Sequence, residues 1–375
     1  MTITRATLDV AATFTRVSGW MTRTQHATYS LSALRLVYGF SILAFLASNF
    51  ADRQYLWGVA SAWVEPEASR TGHLGILRGL FSKDDATLFD VSYFILVLLA
   101  AMFLVGWQTR VVTPLLLLFW VGLSTNSTVL TNGGDTIMRI VLLFLVFANL
   151  SRHWSVDAWL SAHRTDATST LWPRRLTPPS WASNAAHNAA IVACGYQIML
   201  VYVTSGIFKL QGAEWRDGTG LYYSLVLDVF RPFPVLSDLV WQVTPAVFVA
   251  TLLSIWVQLL FPVLVLWRPT RIVALVFLLG MHAGIGLFLG LWPFSLAMIG
   301  LDLLFVRDST WSRALVRVPE VVRSVRDIVV AGRAPAVPVV AAVAAPIARS
   351  GRNHHLYESR KKLAHSSGGR NRPTR

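Results

Sequence analysis

Apolar stretches separated by short polar or aromatic ones set the rhythm of this chain. Eight of them, at 31–50, 91–107, 111–124, 136–150, 188–208, 246–267, 272–289 and 292–306, run about 14 to 22 residues each. A helix rising 1.5 Å per residue needs roughly 20 residues to cross a bilayer core of about 30 Å. Most of the runs approach that length, so the pattern predicts an all-α, polytopic membrane helical bundle of about eight transmembrane helices. Residues 1–30 are mixed and polar and read as a cytoplasmic N-terminal segment. No short apolar core followed by a small-residue cleavage site opens the chain, so the first helix is expected to direct insertion.

The polar segments divide unequally. Those at 51–90 and 209–245 are long and aromatic, and long loops in a compact membrane protein are often functional. The segment 151–187 contains Trp172-Pro173 and Pro178-Pro179 and reads as an irregular linker. After 306 the character changes. Residues 319–330 fit a surface-lying amphipathic helix, and 334–348 is apolar but broken by Pro335, Pro338 and Pro346, a linker rather than a ninth span. The last 25 residues have the composition of disorder.

Composition supports lipid as the solvent. Hydrophobic residues make up 54% and charged residues 14%, against about a quarter charged in soluble domains. The 15 Trp and 20 Phe suit rings placed at headgroup level. Net charge is +14, but residues 307–375 alone hold 14 Lys/Arg against 4 Asp/Glu. A basic tail beside a membrane helix reads as a cytoplasmic anchor facing anionic lipid, and no nucleic-acid partner is expected. With both chain ends inside, the inside segments hold 24 Lys/Arg and the outside segments 7. That is the asymmetry the positive-inside rule requires, and it places 209–245 outside. Cys194, the one cysteine, sits in an apolar run as a small hydrophobe. No zinc or haem spacing is present, and no pair of broken inverted-repeat helices marks a transporter.

Polar groups in hydrocarbon are costly, so each calls for an account. Arg35 lies in the first turn of the first span and has the reach to snorkel to the interface. Asp135 and Arg139, four apart, fit an ion pair on one helical face or the polar wall of an outward cavity. Lys209 closes the fifth span. It is either a snorkelling anchor or an amine held in an apolar pocket, where it can act as a base. His282 lies deep in the seventh span between Gly280 and Gly284, with Gly286 and Gly290 following. This small-residue ridge predicts close helix packing around a hydrogen-bonded His, the rival being a proton-handling or ligand-binding one. Gln258 reads as an interhelical hydrogen-bond partner.

Four stretches together resemble a known family. They are Leu34-Arg35-Leu36-Val37-Tyr38-Gly39-Phe40 with Arg53-Gln54-Tyr55-Leu56-Trp57-Gly58; Asn132-Gly133-Gly134-Asp135 with Arg139; Tyr202 to Leu210 with Trp215-Arg216-Asp217-Gly218-Thr219 and Tyr222-Tyr223; and His282 through Gly290 and Phe294 to Met298. In order and spacing they are similar to the membrane domain shared by vitamin K-dependent gamma-carboxylase and the HTTM (horizontally transferred transmembrane) proteins, over residues 30–306. The resemblance implies an HTTM-like bundle at 31–306, with a reactive face turned away from the cytoplasm and a basic cytoplasmic tail at 307–375. It implies that Lys209 is the counterpart of the carboxylase's base, which deprotonates reduced vitamin K, with His282 and Asp135 beside it in catalysis. Arg139, Trp215, Tyr222, Tyr223 and Arg35 are then the residues expected to bind substrate. Asp135 stands where the carboxylase has a His, and Phe208 where it has a second lysine. The carboxylase's large lumenal domain for substrate proteins has no visible seat here.

Two functions follow. One is a carboxylase-like lyase or oxidoreductase of the cell membrane, acting on an apolar molecule such as a reduced quinone of the vitamin K type. It requires a pocket joining Lys209 and His282, lined by Trp and Phe. The other is a non-enzymatic accessory, since HTTM relatives act beside small secreted peptides in toxin maturation or immunity. Its partner would be a secreted peptide or a redox protein bound by the outer loops.

Overall fold

Backbone amides in hydrocarbon have no water to bond, so an apolar run that enters a bilayer folds as a helix. The computed structural model describes residues 2–61, 63, 79–127, 129–163 and 178–317, with side chains from residue 12 onward, and its described residues are helical without a strand. The N-terminal half builds α1 (Thr2–Arg23), α2 (Thr28–Ser48), α3 (Arg53–Leu56), α4 (Ala86–Val105), α5 (Thr109–Thr125), α6 (Gly133–Leu145) and α7 (Val156–His163). The second half builds α8 (Ser180–Gln211), α9 (Ala213–Arg216), α10 (Gly220–Val226), α11 (Pro234–Trp241), α12 (Thr244–Leu264), α13 (Arg268–Leu289) and α14 (Trp292–Asp302). Met1–Ala314 forms one unit, which contains everything described below.

Among the described residues, five helices are long and apolar enough to cross a membrane: α2, α4, α8, α12 and α13. Thr109–Thr125 and Trp292–Phe305 are shorter apolar helices. The run at 136–150 yields α6, 13 residues long, because the helix ends at Leu145. Leu98, Leu260, Val273 and Val276 lie open on the outer surface. In water such a belt would be an aggregation surface; here it marks the face that meets lipid. The protein is a multi-pass membrane protein.

Several expectations are revised. Residues 1–30 carry α1, a helix with apolar positions spaced around its turns rather than run together, with Phe14, Val17 and Trp20 exposed. Its C-terminal carbonyls are closed by α8: the Asn188 carboxamide donates to Trp20, Met21 and Thr24, and Asn184 to Thr22 and Arg23. The linker at 151–187 contains α7 and the first turns of α8. The amphipathic helix expected at 319–330, the linker at 334–348 and the disordered last 25 residues lie outside the described residues.

Two helix starts are capped from a distance. Ala27 and Gln108 precede α2 and α5 in left-handed conformations (φ 49° and 51°) and make no cap bond of their own. Asp308 accepts from Thr28 N (3.1 Å) and Tyr29 N (3.2 Å), and Asp157 from Gln108 N (2.9 Å) and Thr109 N (3.2 Å). Carboxylates there satisfy orphan N–H groups and meet the positive end of the helix dipole.

The same end of the bundle holds Arg35, which is fully buried. Its guanidinium donates to the carbonyls of Phe103 (2.9 Å), Leu104, Leu150 (3.2 Å) and Trp154 (2.6 Å). Snorkelling is thereby overturned: the side chain turns inward because the last carbonyls of α4 and the segment after α6 need donors. Gly106, at φ 73°, makes room, since a Cβ there would lie 2.7 Å from the guanidinium. Arg35, expected to bind substrate, has its donors committed to the backbone.

Candidate functional site

The opposite end gathers the remaining predicted residues. There α8 and α12 approach closely, because Gly206 lets Leu259 come within 3.1 Å of where a Cβ would stand. That contact carries the Lys209 amine to α12. Nζ lies 2.9 Å from Gln258 Oε1 and 3.3 Å from Ser254 Oγ. Gln258 Oε1 also accepts from Ser205 Oγ at 3.2 Å, so it is the interhelical partner its sequence position suggested.

After Gln211 the chain turns back through α9, and the Trp215 ring comes to rest with its centroid 4.8 Å from Nζ. Gly218 stands at φ 85°, where a Cβ would meet the Phe248 ring at 2.2 Å. Leu221 N donates to Thr251 Oγ1 (3.2 Å), tying α10 to α12. Outside the spans, hydrogen bonds from Thr219 hold the Asp217 carboxyl below its ordinary range. Lys209 is half-buried, and no carboxylate lies within ion-pair distance of it among the described residues. Its partners are an amide, a hydroxyl and an indole face, all uncharged.

Tyr202 lies two turns earlier on α8, about 10 Å along the axis. Its buried hydroxyl donates to the Asp302 carboxylate (2.8 and 3.0 Å to the two oxygens) and lies 3.0 Å from His282 Nε2. Since the Tyr202 proton goes to Asp302, its oxygen is left to accept from His282 Nε2–H. The Nδ1 lone pair then faces the other side of the ring, where it is buried without a partner. The imidazole edge packs against Phe294, with centroids 5.8 Å apart. Asp302 was not singled out by sequence, and Tyr202 only as part of a longer stretch. A lone acid inside the last apolar run was the available signal.

His282 does not owe its packing to a glycine ridge. A Cβ at Gly280 would meet nothing within 4 Å, and one at Gly284 would meet Phe288 of the same helix. Those two glycines face away from neighbouring helices, and spacing alone does not tell which face a ridge occupies. Gly286 does pack, against Trp292, and Gly290 ends α13 at φ 71°.

Asp135 and Arg139 do not pair. Asp135 Oδ2 accepts from Asn132 N (3.0 Å) while Asn132 Oδ1 accepts from Gly134 N (2.7 Å) and Asp135 N (3.3 Å), a reciprocal cap on α6. Arg139 reaches Thr136 Oγ1 at 3.2 Å instead. The start of α6 nevertheless touches the site, because a Cβ on Gly134 would fall 2.7 Å from Phe294 Cα. Tyr222 and Tyr223 are exposed and pack on each other, with Tyr222 also against Trp241.

Two cavities are outlined among the described residues, both away from Lys209 and His282. One is a void of about 10 Å³ under Trp57, Trp120 and Asp135, large enough for about one water. Another is a cleft of about 730 Å³ at the opposite end. Between Lys209 and His282 stand packed side chains: Gln258 bonds Lys209 through Oε1, and its Nε2 points at Met281 Sδ, 3.9 Å away.

This arrangement can be set against known proteins. The HTTM domain family matches residues 23–311, most of the chain and every residue of the site. The chain belongs to the HTTM family. It is also similar to the sporulation-delaying protein SdpB of Bacillus subtilis (strain 168), 21% identical over 208 residues. The match covers 54% of this HTTM chain and 56% of SdpB, so the chain spans about half the length of that curated relative. No solved structure matches.

Proposed function

We propose that this HTTM protein is a membrane enzyme of eight spans, with both chain ends in the cytoplasm and Lys209 at the non-cytoplasmic mouth, where its amine acts as a base on an apolar, quinone-like molecule. The observation that carries the reading is the setting of Lys209: a half-buried amine on Gln258 and Ser254, covered by Trp215, without a counter-ion. A structural lysine in a membrane normally finds a carboxylate or bulk water. The orientation rests on the 24-to-7 distribution of Lys and Arg.

The groups around Nζ suit a reduced quinone: an amine for a phenolic proton, a carboxamide to orient the oxygen, and an indole to stack on the ring. Such a molecule would supply an acidic O–H whose loss begins its chemistry. Lys209 takes that proton. Gln258 holds the amine towards the substrate, and Trp215 excludes water from it. His282, with Nε2 backed by Tyr202 and Asp302, keeps its Nδ1 lone pair available to accept a proton. Trp215 lies over the amine, so a substrate that reaches Nζ displaces its ring.

Two variants test the base. In a strain lacking the native gene, Lys209→Met and Lys209→Arg should both fail to restore function, lowering turnover by about 10²–10⁴-fold. Rescue by Arg, which keeps the cation and cannot serve as a base, would leave Lys209 an anchor. The accessory reading would then take over. It is favoured by the likeness to SdpB and places this protein beside a secreted peptide bound by the segments 51–90 and 209–245. Orientation has its own test: a cysteine placed at Val229, exposed between α10 and α11, should react with an impermeant maleimide from outside whole cells. Labelling confined to lysed cells would reverse the topology.

A further inference from the structure

The cleft of about 730 Å³ lies at the Arg35 end, between the start of α5, the end of α6, α7 and the start of α8. Its lining is mixed in chemistry: Val111, Val146 and Phe147 are apolar, while Arg110, Asn149 and Ser161 are polar. Asp157 also lines it, but both carboxylate oxygens are taken by the N–H groups of Gln108 and Thr109. Among the described lining residues, the exposed Arg110 guanidinium is therefore the charge the cleft presents.

Two further observations fix its depth and direction. Exposed tryptophans surround this end of the bundle: Trp107 before α5, Trp154 and Trp159 around α7, and Trp181 at the start of α8. Indoles concentrate at the lipid headgroup level, so the cleft opens there. From Val111 and Phe147 in its lining, exposed apolar residues run on towards the middle of the bundle, Leu115 and Leu118 along α5 and Leu143 near the end of α6. The cleft thus combines a cation with a greasy track.

We propose that this cleft seats one phospholipid, its phosphate against Arg110 and an acyl chain along Val111 and Phe147. The track continues into the surrounding bilayer, so the lipid enters sideways and needs no opening of the bundle. Its phosphate offers Arg110 a charge-assisted hydrogen bond, and its chain covers Phe147, which is 60% exposed.

The test uses the full-length protein in vesicles of phosphatidylglycerol and phosphatidylethanolamine doped with a photoactivatable phosphatidylglycerol. Peptides spanning 108–111 and 146–148 should be labelled several-fold above the control segment 273–276, whose Val273 and Val276 face lipid without a cleft. Ala148→Trp, which fills the cleft, should bring labelling down to that control level, and Arg110→Glu should lower it while the acyl track stays intact. Equal labelling of cleft and control segments, or labelling that neither variant changes, overturns the proposal.

Discussion

Arg35 and Lys209 sit in helices at opposite ends of this protein, and their surroundings are opposite. Arg35 is sealed from solvent and donates to four main-chain carbonyls. Lys209 is half-buried and rests on two neutral side chains beneath an indole. A planar guanidinium with five donors can tie together several segments at once, whereas an ammonium is a compact group on a flexible stem. The contrast separates a cation tied to the backbone from one held only by neutral side chains, a distinction residue type and depth in the sequence do not make.

The comparison breaks first at Arg35. Arg35→Met takes a donor from four main-chain carbonyls, two of them in buried hydrogen bonds, at about 1–3 kcal/mol for each one left unsatisfied, so the protein should fail to fold or lose most of its thermal stability in detergent. Arg35→Lys should rescue little, because an ammonium does not match the spread of the carbonyls. Full stability in either variant, read by a thermal-shift assay, would remove the clamp. Next comes Tyr202→Phe. Removing one oxygen unpairs Asp302 and His282 together, with an expected loss of about 1–3 kcal/mol. A melting temperature equal to wild type would mean that this buried triad carries no weight. The smallest stability change belongs to Lys209→Met, within about 1 kcal/mol, although the same variant should abolish function. A large drop in melting temperature there would turn Lys209 into a second Arg35.

Spans were legible because hydrocarbon demands long apolar runs. The run at 272–289 became Arg268–Leu289 and that at 188–208 became Ser180–Gln211, the extra turns mixing polar and apolar residues at the helix ends. α1 escaped notice because its apolar residues alternate with polar ones and make no run. In the site, Lys209 stood out as a cation at the end of a span, and Gln258 as an amide inside one. Asp302 did not, since its partner Tyr202 lies 100 residues away and its setting exists only once α8 and α14 meet. The Asp135–Arg139 pair was a sound inference from helical spacing that lost to local capping: the start of α6 needs acceptors more than Arg139 needs a partner.

The carboxylate that closes the start of α2 belongs to Asp308, 280 residues downstream. Translation at about 5–20 residues per second puts roughly 14–56 s between the two ends of that contact. Throughout that interval α2 lacks the carboxylate that closes its leading amides. Its final seat is set when the last helix arrives, so a ribosome stalled before codon 308 should leave a nascent chain that is inserted but still open to proteases at its first turn.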